Sequence, residues 1–378
     1  MKAVISAFAR SPQHFAKKGA LAQLRPDDMA AQVLSGLIER TGLDPALIED
    51  IVLGCAYPEG PQGANLARIV GFLAQFPQHV GGMTVNRFCG SSMSAIHIAA
   101  AQIEAGIGEA YLCVGVESMS MVPQGGLNRS PNPKLVSPFT AAYISMGETA
   151  ENVAKRFQIS RQDQEVLAVD SHRKAAAARS LGRLRAEIVP MRLQSGEVVD
   201  SDGCIREGTS LEALAALKPA FAADGLVTAG TSSPLTDGAA AVLVTSDSFA
   251  RSHKLEPLAR IRAMASVGCD PAVMGIGPIP ATRKALARAG LKASDFDVIE
   301  LNEAFASQAL ACIRDLRLDP GKCNLDGGGM ALGHPLGATG ARITGKAAAL
   351  LQREGGRYAL ATQCIGGGQG IATILEAA

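Results

Sequence analysis

Tryptophan is absent from this 378-residue chain, and aromatic side chains make up only 4% of it. Flat platforms for stacking nucleobases are scarce, which argues against a single-stranded nucleic-acid binder. Charge bias is missing too: 36 Lys and Arg face 35 Asp and Glu, a formal charge of +1. Nothing in that balance draws the whole molecule to nucleic acid or to a membrane surface. No stretch approaches the ~20 apolar residues of a membrane span. The opening Met1-Lys2-Ala3-Val4-Ile5 reads as a first strand rather than a secretory leader, and the closing Leu375-Glu376-Ala377-Ala378 is not a peroxisomal tripeptide. The eight cysteines form no Cys-x-x-Cys pair, and several lie in apolar runs such as Ala110-Tyr111-Leu112-Cys113-Val114. That pattern suits reduced thiols. No His-Glu-x-x-His or spaced Cys/His set offers a metal site. These absences predict a cytoplasmic protein without metal, nucleic-acid or membrane partner.

What is present is a duplication. The length exceeds one ordinary core, so two domains are expected. A helical stretch from Met29 to Arg40 leads to Gly42-Leu43-Asp44 and then to the apolar strand Ile48 to Leu53. The same plan returns as Ile279 to Ala289, Gly290-Leu291-Lys292, and Phe296 to Leu301. A Gly-rich turn and an apolar helix follow each, at Cys89 to Glu104 and at Gly327 to Gln352. Each then reaches an apolar strand, Tyr111 to Val116 or Tyr358 to Cys364, and a final strand, Ala239 to Thr245 or Ile371 to Leu375. Such alternation predicts an α/β fold with mostly parallel sheets, in two similar units rather than a solenoid. The halves are assigned to 1–118 with 236–256, and to 257–378.

The stretch 119–235 fits neither half. Pro123, Gly125, Gly126, Pro131, Pro133 and Pro138 make its start irregular. Ser160 to Ser180 then reads as a helix that Ser160 and Asp163 would cap reciprocally. This segment is expected to be an inserted loop domain covering a cleft.

Four clusters carry the chemistry. In Val85-Asn86-Arg87-Phe88-Cys89-Gly90-Ser91-Ser92 a strand ends, a cysteine follows, and small residues open an Ala-rich helix. A thiol beside unpaired helix amides is expected to have a depressed pKa. In Gly333-His334-Pro335 the histidine lies in a glycine-built turn that lets backbone approach a ligand. His14, His79, His172 and His253 instead stand in polar, exposed-looking contexts, and His97 reads as a packed helix residue. The third cluster is Gln363-Cys364-Ile365-Gly366-Gly367-Gly368-Gln369-Gly370, a cysteine at a predicted strand end followed by a glycine turn, and the fourth is Leu301-Asn302-Glu303-Ala304-Phe305, just after a predicted strand. Functional groups in such sheets gather at strand carboxyl ends. Gly340-Ala341-Arg342-Ile343-Thr344-Gly345-Lys346-Ala347 imitates a P-loop, but Ala347 replaces the magnesium-binding hydroxyl and the run lies in a predicted helix.

Together and in this order, the four clusters resemble the signatures of the thiolase family over essentially the whole chain. The resemblance implies a duplicated five-layered α-β-α-β-α architecture with an inserted loop domain. It implies that Cys89 becomes acylated, that His334 activates it and helps bind an oxyanion, and that Cys364 is the acid/base. Asn302 would position a water in that oxyanion hole, and Gly366 and Cys89 would supply backbone donors to a second one. A catalytic Cys364 requires a pKa near neutrality. No prosthetic group is implied; coenzyme A would be a co-substrate, with Arg206, Phe221, Ala229, Ser233, Met274 and Phe305 at positions resembling those beside it. Ser145 departs from the histidine of biosynthetic acetoacetyl-CoA thiolases, and Thr228-Ala229-Gly230-Thr231-Ser232-Ser233 resembles the degradative 3-ketoacyl-CoA type. The alternatives are a biosynthetic acetyl-CoA acetyltransferase and a non-catalytic acyl-CoA-binding protein on the same fold. A homodimer or homotetramer, and a hydratase–dehydrogenase partner subunit, are further expectations of the resemblance.

Overall fold

The computed structural model describes residues 2–136 and 140–378. Met1 and Pro138, used above in the first strand and the irregular segment, lie outside the described residues. Nine strands carry the fold. The first half supplies β1 (Ala3–Arg10), β2 (Asp50–Gly54), β3 (Gly81–Val85), β4 (Ala110–Ser118) and β5 (Thr236–Ser246). The second supplies β6 (Ala259–Gly268), β7 (Val298–Leu301), β8 (Tyr358–Ile365) and β9 (Gln369–Glu376). Their order is β7-β8-β9-β6-β1-β5-β4-β2-β3. The duplication is explicit in that order. β1-β5-β4-β2-β3 is matched by β6-β9-β8-β7, with Cys323 bridged to Ile299 in the place of β3. The halves meet along β1 and β6 at only two register pairs, Val4 with Arg260 and Ile5 with Ala259.

The expectation of mostly parallel sheets needs correction. β2 pairs in parallel with β3 and β4, and β7 with β8. However, β5 lies antiparallel between β1 and β4, and β9 antiparallel between β8 and β6. Each half inserts its last strand against the direction of its neighbours, which periodicity alone does not reveal because both faces of such a strand are buried.

Helices fill three layers, one on each outer face and one between the strands of the two halves. α1 (Pro26–Thr41) and α2 (Leu66–Leu73) cover the outer face of the first sheet. α3 (Ser91–Glu104) and the long helix near the C-terminus lie between the sheets. The segment 119–235 contributes α4 (Met146–Arg156) and α5 (Arg161–Ser180). α6 (Pro278–Ala289) and α7 (Ala306–Leu316) cover the second sheet, and α8 (Leu336–Glu354) is the long central helix. The sequence punctuates α1 and α6 alike: each has proline in its first turn and ends on a left-handed glycine, Gly42 or Gly290. α5 begins with the reciprocal Ser160–Asp163 cap. α8 has 15 of its 19 residues buried, which places it in the middle layer rather than on a surface. Its approach to α3 is close: a Cβ on Gly340 would lie 2.3 Å from the Met93 backbone nitrogen, so only glycine fits there. The P-loop-like run is helical throughout, inside α8. No helix among the described residues is long and apolar enough to cross a membrane.

Candidate active site

Cys89 sits in the turn from β3 to α3. Phe88, just before it, has φ 44°, a left-handed conformation that is costly for a bulky residue. Local hydrogen bonds hold the turn. Asn86 Oδ1 accepts from the Phe88 N–H at 2.8 Å, and Ser91 Oγ accepts from the Arg87 N–H at 2.9 Å and donates to the Phe88 carbonyl at 2.6 Å. The result projects Cys89 just ahead of Gly90, the N-cap of α3.

His334 is placed by the same device in the second half. Gly333 before it has φ 109°, and a Cβ there would lie 2.6 Å from Thr236 Cγ2, so glycine is required. Pro335 after it is the N-cap of α8. The His334 N–H donates to Thr236 Oγ1 at 3.0 Å, and Nδ1 lies 2.7 Å from Thr339 Oγ1. With the Thr339 hydroxyl donating to the Pro335 carbonyl at 3.4 Å, Nδ1 carries the ring proton and Nε2 keeps its lone pair. Burial, with Arg342 nearby, lowers the His334 pKa to about 3, so the ring is neutral.

The remaining two clusters converge on these residues. The Asn302 amide Nδ2 lies 3.4 Å from both ring nitrogens of His334. Asn302 Oδ1 is buried without a hydrogen-bond partner, an acceptor open to a small polar molecule. Gln363, next to Cys364, donates through Nε2 to the Cys89 carbonyl. The Gly366 turn lies against the nucleophile turn: a Cβ on Gly366 would be 3.9 Å from Phe88 Cδ2, and one on Gly90 2.4 Å from Ile365 Cδ1; the main-chain N–H groups of Gly366 and of Cys89 favour the Cys89 thiolate. Cys364 is buried and close enough that a charge on Cys89 raises its pKa.

Two electrostatic expectations fail. Burial pushes the Cys89 thiol up to about 11, with Glu117 adding to the shift, although the Gly366 and Cys89 amides act against it. The helix N-terminus therefore does not produce a resting thiolate. Burial, then Cys89, likewise hold Cys364 well above the usual thiol range rather than near neutrality.

Most residues matched to coenzyme A positions gather on one side. Met274 and Phe305 pack with Cys364, and Met146 joins them. Phe221 meets Phe305 edge-on at 5.9 Å between centroids. The Ser233 N–H donates to the Ala304 carbonyl at 3.0 Å, and Ala229 is exposed in the preceding turn Ala229–Thr231. Arg206 stands apart. It is exposed, and its main-chain N–H and guanidinium meet the two ring nitrogens of His172 at 3.1 and 3.0 Å. That histidine, expected on the surface, is 1% exposed; it lies on the inner face of α5, a placement its polar neighbours in sequence conceal. Ser145 caps α4 in a reciprocal pair with Glu148.

Sequence reasoning missed Glu117. Buried at the end of β4, it accepts from the N–H groups of Ala56 (2.8 Å), Tyr57 (3.2 Å) and Gly337 (2.9 Å) and from Gln62 Nε2 (2.9 Å). It thereby ties the strand ends of the first half to the start of α8. A lone acid closing an apolar strand was the available signal. Gln363 stands in the third cluster and Thr339 five residues after His334, but the sequence gives neither a role; their contacts do.

The whole-chain comparisons agree with this geometry. The thiolase N-terminal domain model matches residues 3–248 and the thiolase C-terminal domain model residues 255–377. A 3-ketoacyl-CoA thiolase of Saccharophagus degradans is 46% identical over 383 residues, covering 99% of this chain and 97% of the relative. Proteins of the same name from Shewanella denitrificans and Bacillus subtilis are 47% and 43% identical, each over 99% of both chains. Two matched domains in the order of the duplicated halves, and relatives alike from end to end, leave one conclusion: the chain belongs to the thiolase family and is an acyltransferase that uses coenzyme A as co-substrate.

Proposed function

We propose that this chain cleaves 3-ketoacyl-CoA with coenzyme A, giving acetyl-CoA and a shortened acyl-CoA, in fatty-acid degradation. One observation carries the reading: the Cys89 turn of the first half lies against the Cys364–Gly366 turn of the second, with the Cys89 carbonyl accepting from Gln363 Nε2 and a Cβ on Gly90 only 2.4 Å from Ile365 Cδ1. Cys89 Sγ attacks the 3-keto carbon, and its proton passes to His334 Nε2. In the free protein that transfer is strongly uphill, since the thiol titrates at about 11 and the imidazole at about 3. Proton transfer therefore accompanies attack instead of preceding it.

The oxygen on the attacked carbon develops charge beside the Gly366 and Cys89 N–H groups, which are already in place. Rupture of the bond between the second and third carbons then leaves the electron pair on the departing acetyl-CoA enolate. The other polar pair, His334 with a water on Asn302, suits that enolate oxygen, and Cys364 supplies the proton to its carbon. A coenzyme A thiol then gives its proton to the Cys364 thiolate and attacks the acyl-Cys89 carbonyl; the bond from that carbon to Cys89 Sγ breaks, Cys89 recovers the proton held by His334, and the shortened acyl-CoA leaves.

Segment 119–235 is proposed to cover the coenzyme A site, with Arg206, Phe221, Ala229, Ser233, Met274 and Phe305 along it. A cytoplasmic homodimer or homotetramer served by a hydratase–dehydrogenase subunit completes the proposal; eight free thiols suit a reducing compartment. Thiolysis of acetoacetyl-CoA compared with longer 3-ketoacyl-CoA esters tests the reading. A strong preference for the four-carbon ester would replace it with acetoacetyl-CoA synthesis.

A further inference from the structure

Two apolar groups gather at the nucleophile. One holds Met274, Phe305 and Cys364, assigned above to coenzyme A and to enolate protonation, together with Met146. The other holds Ala16, Ala56, Met119 and Leu336, packed with Tyr57 and Cys89 itself, and none of its side chains around Cys89 has a role so far. A 3-keto carbon at Cys89 carries acetyl-CoA in one direction and its alkyl tail in the other. If the first group takes the cofactor arm, the tail runs over the second.

We infer that Tyr57 is the residue that selects the acyl tail, its ring closing the tail side of Cys89 as a fixed wall. The inference rests on the thiolytic reading above. Three observations place and stiffen that ring. Tyr57 leans on Phe88, the strained residue beside the nucleophile, with centroids 5.9 Å apart and planes at 49°. The loop beyond packs on the turn that carries Tyr57: a Cβ on Gly126 would lie 2.5 Å from Glu59 Oε1, and one on Gly60 2.9 Å from Leu127 Cδ1. That loop is pinned in turn by Glu59, two residues after Tyr57, which accepts from the Leu127 N–H at 2.7 Å and the Asn128 N–H at 3.1 Å.

The nucleophile turn therefore backs the ring, while the pinned loop and Glu117 fix the backbone that carries it, so the ring does not simply swing aside for a longer tail. Phe88 and Leu127 beyond it are 38% and 51% exposed. A saturated, unbranched tail that passed Tyr57 would find apolar surface there. Shortening the side chain opens that path while leaving the groups that act on the reacting carbons in place.

The test is a chain-length profile of kcat/KM for thiolysis, from acetoacetyl-CoA to 3-ketohexadecanoyl-CoA, in the full-length protein. Tyr57→Ala is expected to raise the long-to-short ratio about tenfold or more, the scale on which apolar pockets discriminate methylenes, while Tyr57→Phe keeps it within about threefold. If Tyr57→Ala is inactive or unfolded, Tyr57→Leu decides by the same ratio. An unchanged profile in the deciding variant overturns the inference. Absence of thiolysis in the unsubstituted protein at every chain length would instead remove the functional reading beneath it. Acetylation of Cys89 by acetyl-CoA, followed by intact mass, separates a failed nucleophile from a failed wall.

Discussion

Cys89 and His334 occupy the same position on paired central helices. Each is the residue before the N-cap, Gly90 on α3 and Pro335 on α8, and each follows a residue with positive φ. Duplication thus provides the same turn twice, filled once by the proposed nucleophile and once by the proposed base. Neither is charged at rest: burial raises the thiol to about 11 and lowers the imidazole to about 3.

This predicts how Cys89 responds to pH. Without substrate, its alkylation by iodoacetamide should rise about tenfold per pH unit from neutrality toward pH 10, as thiolate is released. Peptide mapping of the labelled site measures it. A rate already flat at pH 7 would mean that a thiolate is preformed.

Cys89→Ala should lower thiolysis by about three orders of magnitude or more, roughly 4 kcal/mol of barrier, with coenzyme A binding by calorimetry largely kept. Cys364→Ala should still accept an acyl group on Cys89 but lose exchange of the acetyl-CoA methyl protons. Exchange at the normal rate in that variant would take the acid/base role away from Cys364.

Glu117→Ala strips the acceptor from five donors at once: three main-chain N–H groups, the Gln62 amide and the Cys55 thiol. Unpaired buried donors are costly, and a loss of about 3 kcal/mol or more is expected in urea unfolding. Because the Gly337 N–H belongs to α8, kcat should fall as well, through displacement of His334. Unchanged stability would show that the donors find other partners.

Glu300 gives a stability signature. Buried in β7, with Arg342 at 3.7 Å and neither carboxylate oxygen hydrogen-bonded, it is raised by burial to about 8, Arg342 pulling the other way. The folded chain then holds a proton that the unfolded chain releases above its ordinary pKa of 4.5. That contribution is complete below pH 4.5 and is lost as pH rises through about 8. Denaturation series should show the unsubstituted protein losing stability relative to Glu300→Gln across that window; parallel curves would place the Glu300 pKa near its ordinary value.

Much of this was legible before any coordinates. The glycines ending α1 and α6, the cap at Ser160, and the strand–turn–helix around Cys89 are local signals, and local sterics produce them in any context. The first strand of the second half, Ala259–Gly268, was not read, nor were α2 and α4. Arg260 and Arg262 interrupt the apolar run of that strand, and α2 and α4 are short helices whose formation depends on what they pack against.

The sequence by itself determined the duplicated plan, the four motifs and the strand–turn–helix that carries Cys89, because each depends on residues close together in the chain. Only the tertiary structure decided the rest. The reversed strands β5 and β9, the burial of His172, the hub at Glu117 and the wall at Tyr57 all depend on partners far away in sequence. The protonation of Cys89 is the sharpest case. A helix end nearby favours thiolate, but burial by residues from both halves outweighs it, and no local pattern records how much water a fold removes.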